Sequence, residues 1–261
     1  MRASTGLMGI IVPALLGCGG GGGAGGSVTL SGDDVTVAQD ALASSTALAD
    51  CVVAATRLLQ FTPVVPESDL DTHALFAQLF QCPTLAPDSP TRASFDWGSG
   101  CLGRDGRTRR GRMTVDVTGA VLEPLPGVLA VTGYGDDHSA LDGSADVNFA
   151  VAGVIKFTLT GLRLTMDQTY DVKGELSVTL AAAPDPLQTR YEVGGSGSVG
   201  GVAFTIETPL RVQQDCAHPV SGTMTIELDG NRTAHADFGG DTCDDVVALT
   251  VGESWQEVHL E

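Results

Sequence analysis

The chain has few basic and few aromatic residues for its length. Of its 261 residues only Lys156 and Lys173 are lysines, and the formal net charge is −18. So acidic a body repels nucleic acid and anionic lipid surfaces, which argues against both as binding partners. Aromatic residues make up 5% of the chain, which is sparse for the two aromatic girdles of an outer-membrane β-barrel.

The common signature motifs of enzymes are also missing. The sequence contains no Gly-x-Ser-x-Gly, His-Glu-x-x-His or Cys-x-x-Cys, which are patterns typical of hydrolases, zinc proteases and dithiol redox sites. Its five histidines are scattered along the chain, at His73, His138, His218, His235 and His259. We therefore predict no catalytic residue, no metal site and no cofactor.

One glycine-rich stretch does match a cofactor motif letter for letter. Residues 195–200 spell Gly-Ser-Gly-Ser-Val-Gly, the dinucleotide fingerprint, which works only between a strand and the N-terminus of a helix. Here Val202, Phe204 and Ile206 follow in the alternating pattern of a strand. The stretch is therefore predicted to be a hairpin loop.

The N-terminus carries a targeting signal. Arg2 provides a positive start, and residues 7–16 form an apolar stretch too short to cross a bilayer as a helix. The stretch ends in Leu15-Leu16-Gly17-Cys18, which resembles the bacterial lipobox. We expect residues 1–17 to be a lipoprotein signal peptide that is removed, and Cys18 to carry palmitate or a similar lipid. An ordinary secretory signal that happens to contain a cysteine is the alternative.

Residues 18–30 are predicted to be the acylated cysteine and a flexible tether. Gly19 to Gly23, Gly25 and Gly26 have no side chains to pack and the greatest backbone freedom. Gly19 stands where an aspartate is associated with retention in the inner membrane. We therefore expect a protein of the cell envelope, anchored to the membrane through lipid on Cys18, with the outer membrane favoured over the inner.

The other cysteines suggest two disulfides in an oxidising compartment. Matching the apolar faces of the predicted strands around residue 230 places Cys216 one residue out of register with Cys243, a slip that a bulge at Gly239-Gly240 would absorb. Cys82 and Cys101 bracket another predicted hairpin and form the next pair. Cys51 then remains, as a buried thiol on a helix; a reactive thiol is the alternative.

Two helices are predicted near the N-terminus, in a helical segment over residues 31–82. The first covers residues 31–61: Ser31 and Asp34 resemble a capping box, and small apolar residues recur every three or four positions. The second covers residues 69–81, after Ser68 as its cap, and ends before Cys82-Pro83.

The period changes from 3.6 to 2 after residue 93. Met113, Val115 and Val117 alternate with polar residues, and similar segments follow at 128–134, 145–151, 154–166, 170–180, 188–193, 202–212, 222–228, 232–238, 246–251 and 255–260. The predicted fold is mainly β: one large curved antiparallel sheet of about a dozen strands over residues 83–261, a sandwich or barrel-like wrap, with the two helices packed on it as one unit. An outer-membrane barrel is the rival, and the charged outward faces argue against it.

A cysteine motif occurs twice. Asp96-Trp97-Gly98 and Asp237-Phe238-Gly239 each follow one cysteine and precede another, which suggests a duplicated, disulfide-stapled hairpin. The stretch over residues 96–112, Asp-aromatic-Gly-x-Gly-Cys-x-Gly-x-Asp-Gly-Arg-x-Arg, resembles a group of uncharacterised bacterial cell-envelope lipoproteins. The resemblance implies a shared β-rich envelope module and transfers no catalytic residue, because that group has no established activity.

Five arginines crowd into this stretch. They are candidates for binding an anionic group such as phosphate or an acidic glycan, because guanidinium groups bind such anions in pairs. The alternative is that they pair with the chain's own carboxylates around the turn at Asp105-Gly106. The five are Arg104, Arg107, Arg109, Arg110 and Arg112.

Two acidic loops could collect calcium through carboxylate oxygens. Neither has the spacing of an EF-hand loop, so solvated loops are the favoured interpretation. The first loop contains Asp136, Asp137, His138, Asp142 and Asp146, and the second contains Asp241, Asp244 and Asp245.

Three functions are consistent with these observations. The first is a non-catalytic structural or binding module presented at the membrane surface, with an undetermined lipid, glycan or envelope-protein partner. The second is a periplasmic carrier of a lipid or other hydrophobic ligand, which needs an apolar cavity of several hundred cubic ångströms. The third, an enzyme, needs buried acid and histidine groups clustered in a cleft.

Overall fold

The computed structural model describes residues 32–61, 82–89, 91–117, 125–150, 153–181, 189–229 and 232–260. The predicted signal peptide, Cys18, the glycine tether and the predicted helix over residues 69–81 lie outside these ranges. The described residues form one long helix and one large antiparallel sheet. The mainly β fold is thus confirmed, with one described helix where two were predicted.

Helix α1 spans Gly32–Phe61, close to the predicted bounds. The positions predicted to face the core are buried, among them Ala38, Leu42, Leu48 and Val52, all at most 1% exposed. The segment Asp34–Leu59 is long and apolar enough to cross a membrane, but 72% of an 18-residue window within it is buried inside the fold. This helix is therefore the core of the domain.

Over the described residues the sheet has thirteen strands in the order of the sequence, each antiparallel to its neighbours. β1 and β13 form its two edges, so the sheet is open. The strands are β1 Thr84–Ser89, β2 Arg92–Leu102, β3 Thr108–Val117, β4 Leu125–Gly135, β5 Ala140–Ala150, β6 Val154–Thr165, β7 Thr169–Ala181, β8 Arg190–Val199, β9 Val202–Gln213, β10 Ser221–Leu228, β11 Arg232–Gly240, β12 Val246–Val251 and β13 Ser254–His259.

The predicted dinucleotide-like loop belongs to a hairpin. β8 continues through its glycines to Val199, and Gly200-Gly201 alone form the turn to β9. A strand follows the motif where a cofactor site needs a helix N-terminus. The hairpin interpretation is confirmed, and the strand is longer than predicted.

Irregularities in strand pairing keep apolar side chains on the inner face. β6 buries Phe157 and Leu159, and then Leu162 and Leu164. The alternation changes phase at a register shift between Leu159 and Leu162. An extra residue in one strand bends it and increases its twist, so the sheet curves without exposing its core.

Two glycines allow strands to bend and to approach each other closely. Gly111 has a φ of +88°, and a Cβ there would lie 2.2 Å from the carbonyl oxygen of Gly133; at Gly143, with φ +119°, it would lie 2.0 Å from that of Gly161. Both the backbone conformation and the space exclude a side chain. Strands β3 and β5 can therefore bend where their neighbours come closest.

The sheet curls around α1 until distant strands meet. The helix contacts β2 to β4 and β6 to β10. Beyond it, Arg107 in the turn after β2 donates from Nη1 to the carbonyl oxygen of Ala217, 3.2 Å away in the loop after β9. The concave face of the sheet is thus occupied by the helix.

Two disulfides staple the hairpins, as predicted. Cys82 joins Cys101 across β1 and β2, and Cys216 joins Cys243 across the β10–β11 hairpin. The β10–β11 register shifts between Ser221 and Thr223, on the side of Gly239-Gly240, which is where the cysteine spacing required a bulge. Cys51 is a free, buried thiol.

Candidate functional site

A network of charged side chains lies between the middle of α1 and the end of the sheet where β2 turns into β3. Asp50 comes from α1, Asp105 and Arg107 from the turn, and Arg109 from the start of β3. Asp136 follows β4. The β2–β3 and β4–β5 turns bring these residues together, because every second turn of a meander lies at the same end of the strands.

Arg109 is held between two carboxylates. Its Nε and Nη2 donate to Asp50 Oδ2 and Oδ1 at 2.9 and 2.7 Å, while Nη1 and Nη2 donate to Asp105 Oδ1 and Oδ2 at 3.0 and 2.6 Å. The Arg109 side chain is 11% exposed and that of Asp105 is 6% exposed. Two paired contacts of this kind fix both the position and the orientation of a guanidinium.

Tyr134 completes the surroundings of Asp50. Its hydroxyl donates to Asp50 Oδ2 at 2.6 Å, and its ring packs edge-on to Trp97 with 4.8 Å between centroids. Burial raises the pKa of the Asp50 carboxyl, but Arg109 and Tyr134 lower it by more, so the pKa lies well below its ordinary value. Asp50 is therefore a stable carboxylate and a poor proton acceptor.

Arg107 links this network to the next turn. Its Nη2 donates to Asp136 Oδ2 at 2.5 Å. The other oxygen of Asp136 accepts from the backbone nitrogens of His138 and Ser139 at 3.0 and 2.9 Å. Burial raises the pKa of Asp136, and the bond from Arg107 outweighs it, so the net shift is downward.

The five predicted arginines do not converge on one external site. Arg107 and Arg109 point inward to carboxylates. Each of the five arginines has a partner within the chain that would compete with an external anion, and anion binding by the group stays a prediction. The remaining three have separate contacts: Arg104 lies 3.4 Å from Asp215, Arg110 lies 3.9 Å from Asp137, and Arg112 donates to Ser94 Oγ at 2.9 Å.

The acidic loops are engaged in local bonds. Within the described residues no group of three or more His, Cys, Asp or Glu is placed to hold a metal ion. The individual contacts are Asp142 accepting from the Gly133 nitrogen at 2.8 Å, Asp241 from Arg211 at 2.8 and 2.9 Å, Asp244 from Thr242 at 2.7 Å, and Asp245 beside His259 at 3.0 Å.

The duplicated motif has the same local geometry in both copies. Asp96 accepts from the backbone nitrogen of Gly98 at 2.7 Å, and Asp237 accepts from that of Gly239 at 2.9 Å. The aromatic residue between them is buried each time, Trp97 at 6% and Phe238 at 1% exposure. The motif thus turns the strand and anchors it in the core.

Sequence reasoning missed Asp50 and Tyr134. The available signal was a lone carboxylate on a helix face that is otherwise small and apolar, since a buried acid requires a partner. The neighbouring Cys51 is unreactive in these surroundings, because burial and the charge of Asp50 raise the pKa of its thiol.

Cavities adjoin the network, and two of them are larger than a single water molecule. A small one of about 40 Å³ lies beside Arg109 and Arg57. The Nε of Arg57 is buried without a hydrogen-bond partner among the described residues, and its guanidinium lies 5.1 Å from the centroid of the Tyr191 ring. A larger cleft of about 390 Å³ opens along the first half of α1 and is lined by mixed polar and apolar residues. The second is large enough for a small organic ligand.

The network can stabilise charge and hold elements together, but its carboxylates and guanidinium groups are already paired with one another.

Comparisons with other proteins add no assignment. No family model matches the chain, and no curated protein or solved structure matches it significantly. What the protein does must therefore follow from its own residues and their arrangement.

Proposed function

We propose that the protein is a lipid-anchored cell-envelope protein whose β domain is a non-catalytic structural or binding module. We infer a structural or binding module from the pairing of Asp50 with Arg109 and Tyr134. This pairing engages the carboxylate of Asp50 with groups from β3 and β4, and so joins the helix to the sheet. The cluster therefore has the character of a structural clamp.

The anchor is proposed from the N-terminal sequence. Cys18 follows an apolar stretch and precedes a run of glycines, and Gly19 favours the outer membrane over the inner. The resemblance of residues 96–112 to cell-envelope lipoproteins supports the same compartment. So do the two disulfides, which persist in oxidising surroundings.

The carrier and enzyme alternatives receive less support. A lipid carrier needs the concave face of its sheet for the ligand, and α1 occupies that face here. An enzyme would use a buried acid or base with a free lone pair or proton, whereas Asp50, Asp105 and Asp136 all accept bonds from arginine.

Metabolic labelling with an alkyne fatty acid tests the anchor. The chain expressed in a bacterium with two membranes should carry the label and fractionate with the outer membrane. Cys18→Ser should lose the label, while the matched control Cys51→Ala, which removes the buried free thiol, should keep it. Equal labelling of wild type and Cys18→Ser would refute the anchor.

Native mass spectrometry tests the module. Protein purified from its own envelope should have the mass of the acylated mature chain, with or without a bound small molecule or protein partner. A stoichiometric second lipid retained through purification would instead establish the carrier. The covalent mass reports on the anchor and the non-covalently bound mass reports on the module, so the anchor and the module can fail separately.

A further inference from the structure

The cleft beside α1 combines an apolar wall with uncompensated negative charge. It is formed by the first half of the helix, the turn between β4 and β5, the turn between β6 and β7, and the end of β13. Elements far apart in sequence therefore build it together. Its volume of about 390 Å³ falls within the range of small-ligand pockets.

The wall is aliphatic. Leu42 and Ala47 contribute from α1, Met166 from the β6–β7 turn, and Val258 and Leu260 from the end of the chain. Leu42 and Val258 are buried, at 1% and 4% exposure. Among the described residues that line the cleft, none is phenylalanine, tyrosine or tryptophan.

The charges at the cleft do not balance. Asp136 is neutralised by Arg107, which leaves Asp40 on α1 and Asp167 in the β6–β7 turn as carboxylates of the lining with no cation paired to them among the described residues. Both are exposed, and the two elements that carry them are in contact, since Ser44 Oγ lies 3.4 Å from Met166 Sδ. Burial raises the pKa of Asp40, and the charge of Asp167 raises it further. Two carboxylates that repel each other gain most from a cation placed between them.

The form of that cation follows from the lining. A quaternary ammonium group is recognised by aromatic faces, which the described part of this lining does not provide. A primary ammonium donates three hydrogen bonds, and two carboxylates can accept them. The aliphatic wall then requires an apolar body behind the charge.

We propose that this cleft binds a small primary amine with an aliphatic body, its ammonium between Asp40 and Asp167 and its body against Leu42 and Met166. The proposal names a ligand class for the binding module and rests on that part of the proposed function. It does not depend on the lipid anchor, so failure of either leaves the other standing.

Calorimetric titration with three matched six-carbon probes tests the site. The full chain in a non-ionic detergent is titrated with hexylamine, hexan-1-ol and hexanoate, and each probe is also titrated into detergent alone. Hexylamine should bind with one site per chain, and at least about tenfold more tightly than the alcohol, because hydrogen bonds to a charged group are stronger than neutral ones. Hexanoate should not bind.

Charge-neutral variants locate the site. Asp40→Asn and Asp167→Asn should each weaken hexylamine binding by about tenfold or more, while Asp146→Asn, which removes the same charge from an exposed position of β5 outside the cleft, should leave it unchanged. Circular dichroism checks that each variant is folded. Equal affinity for amine and alcohol, or equal weakening by all three variants, would overturn the proposal.

Discussion

Replacement of Asp50 by asparagine tests whether the ion-pair network holds α1 in the sheet. The variant keeps the shape of the side chain but removes its charge, so Arg109 is left with Asp105 alone. Removing one partner of a buried ion pair costs about 3–5 kcal/mol. Because Arg109 keeps its second carboxylate, we expect the lower end, about 3 kcal/mol of the free energy of unfolding.

Urea unfolding followed by far-ultraviolet circular dichroism measures this loss. Asp40→Asn is the matched control on the same helix; its side chain is exposed, so its effect should stay within about 0.5 kcal/mol. The double replacement Asp50→Leu with Arg109→Met should cost less than the sum of its single replacements, because neither charge is left alone in the core. An unchanged free energy in Asp50→Asn, or strictly additive losses in the double variant, would refute the clamp.

Three further predictions concern the same fold. Arg109 and Tyr134 outweigh burial and lower the pKa of Asp50. The contribution of Asp50 to the free energy of unfolding is therefore complete above the ordinary carboxyl pKa and is lost as the pH falls below it. Urea titrations at decreasing pH should show a steeper loss of stability in wild type than in Asp50→Asn. Replacing Cys216 and Cys243 together by serine should remove about 3–4 kcal/mol of stability, and an unchanged urea midpoint would contradict this. Gly111→Ala should destabilise by more than Gly106→Ala, since both have positive φ but only a Cβ at residue 111 would lie 2.2 Å from a backbone oxygen. The conformation alone is expected to cost about 1–3 kcal/mol in each variant. Equal thermal midpoints of the two variants would exclude the steric overlap as a cause of destabilisation.

Local patterns predicted most of the secondary structure. Alternation placed β7 and β10 to β13 close to their observed bounds, because one face of each strand packs on the core and the other meets water. The cysteine spacing predicted the pairing of Cys216 with Cys243 and the position of the bulge, since strand register is fixed by the apolar faces. These features depend on residues near one another in the chain.

The network depends on residues far apart, and its partners were only half predicted. The arginine cluster was visible, and pairing with carboxylates was considered, but the turn was expected to supply them. Asp50 lies 59 residues before Arg109, on a helix whose orientation in the sheet no local pattern gives. The open edge of the sheet was equally hidden, because strand alternation is the same in an open and a closed sheet.

The order of the strands has a consequence for how the chain acquires its structure. Every strand pairs with the one before it in sequence, so each pairing closes only a short loop and costs little entropy. Such a sheet can grow one hairpin at a time, at a rate set by local contacts. We expect the slow step to be the packing of α1 against the sheet, because the helix precedes the strands in the chain and its contacts extend from β2 to β10. Until β10 has paired with β9, part of the apolar surface of α1 is exposed to solvent. We expect the chain to be most prone to aggregation during this interval.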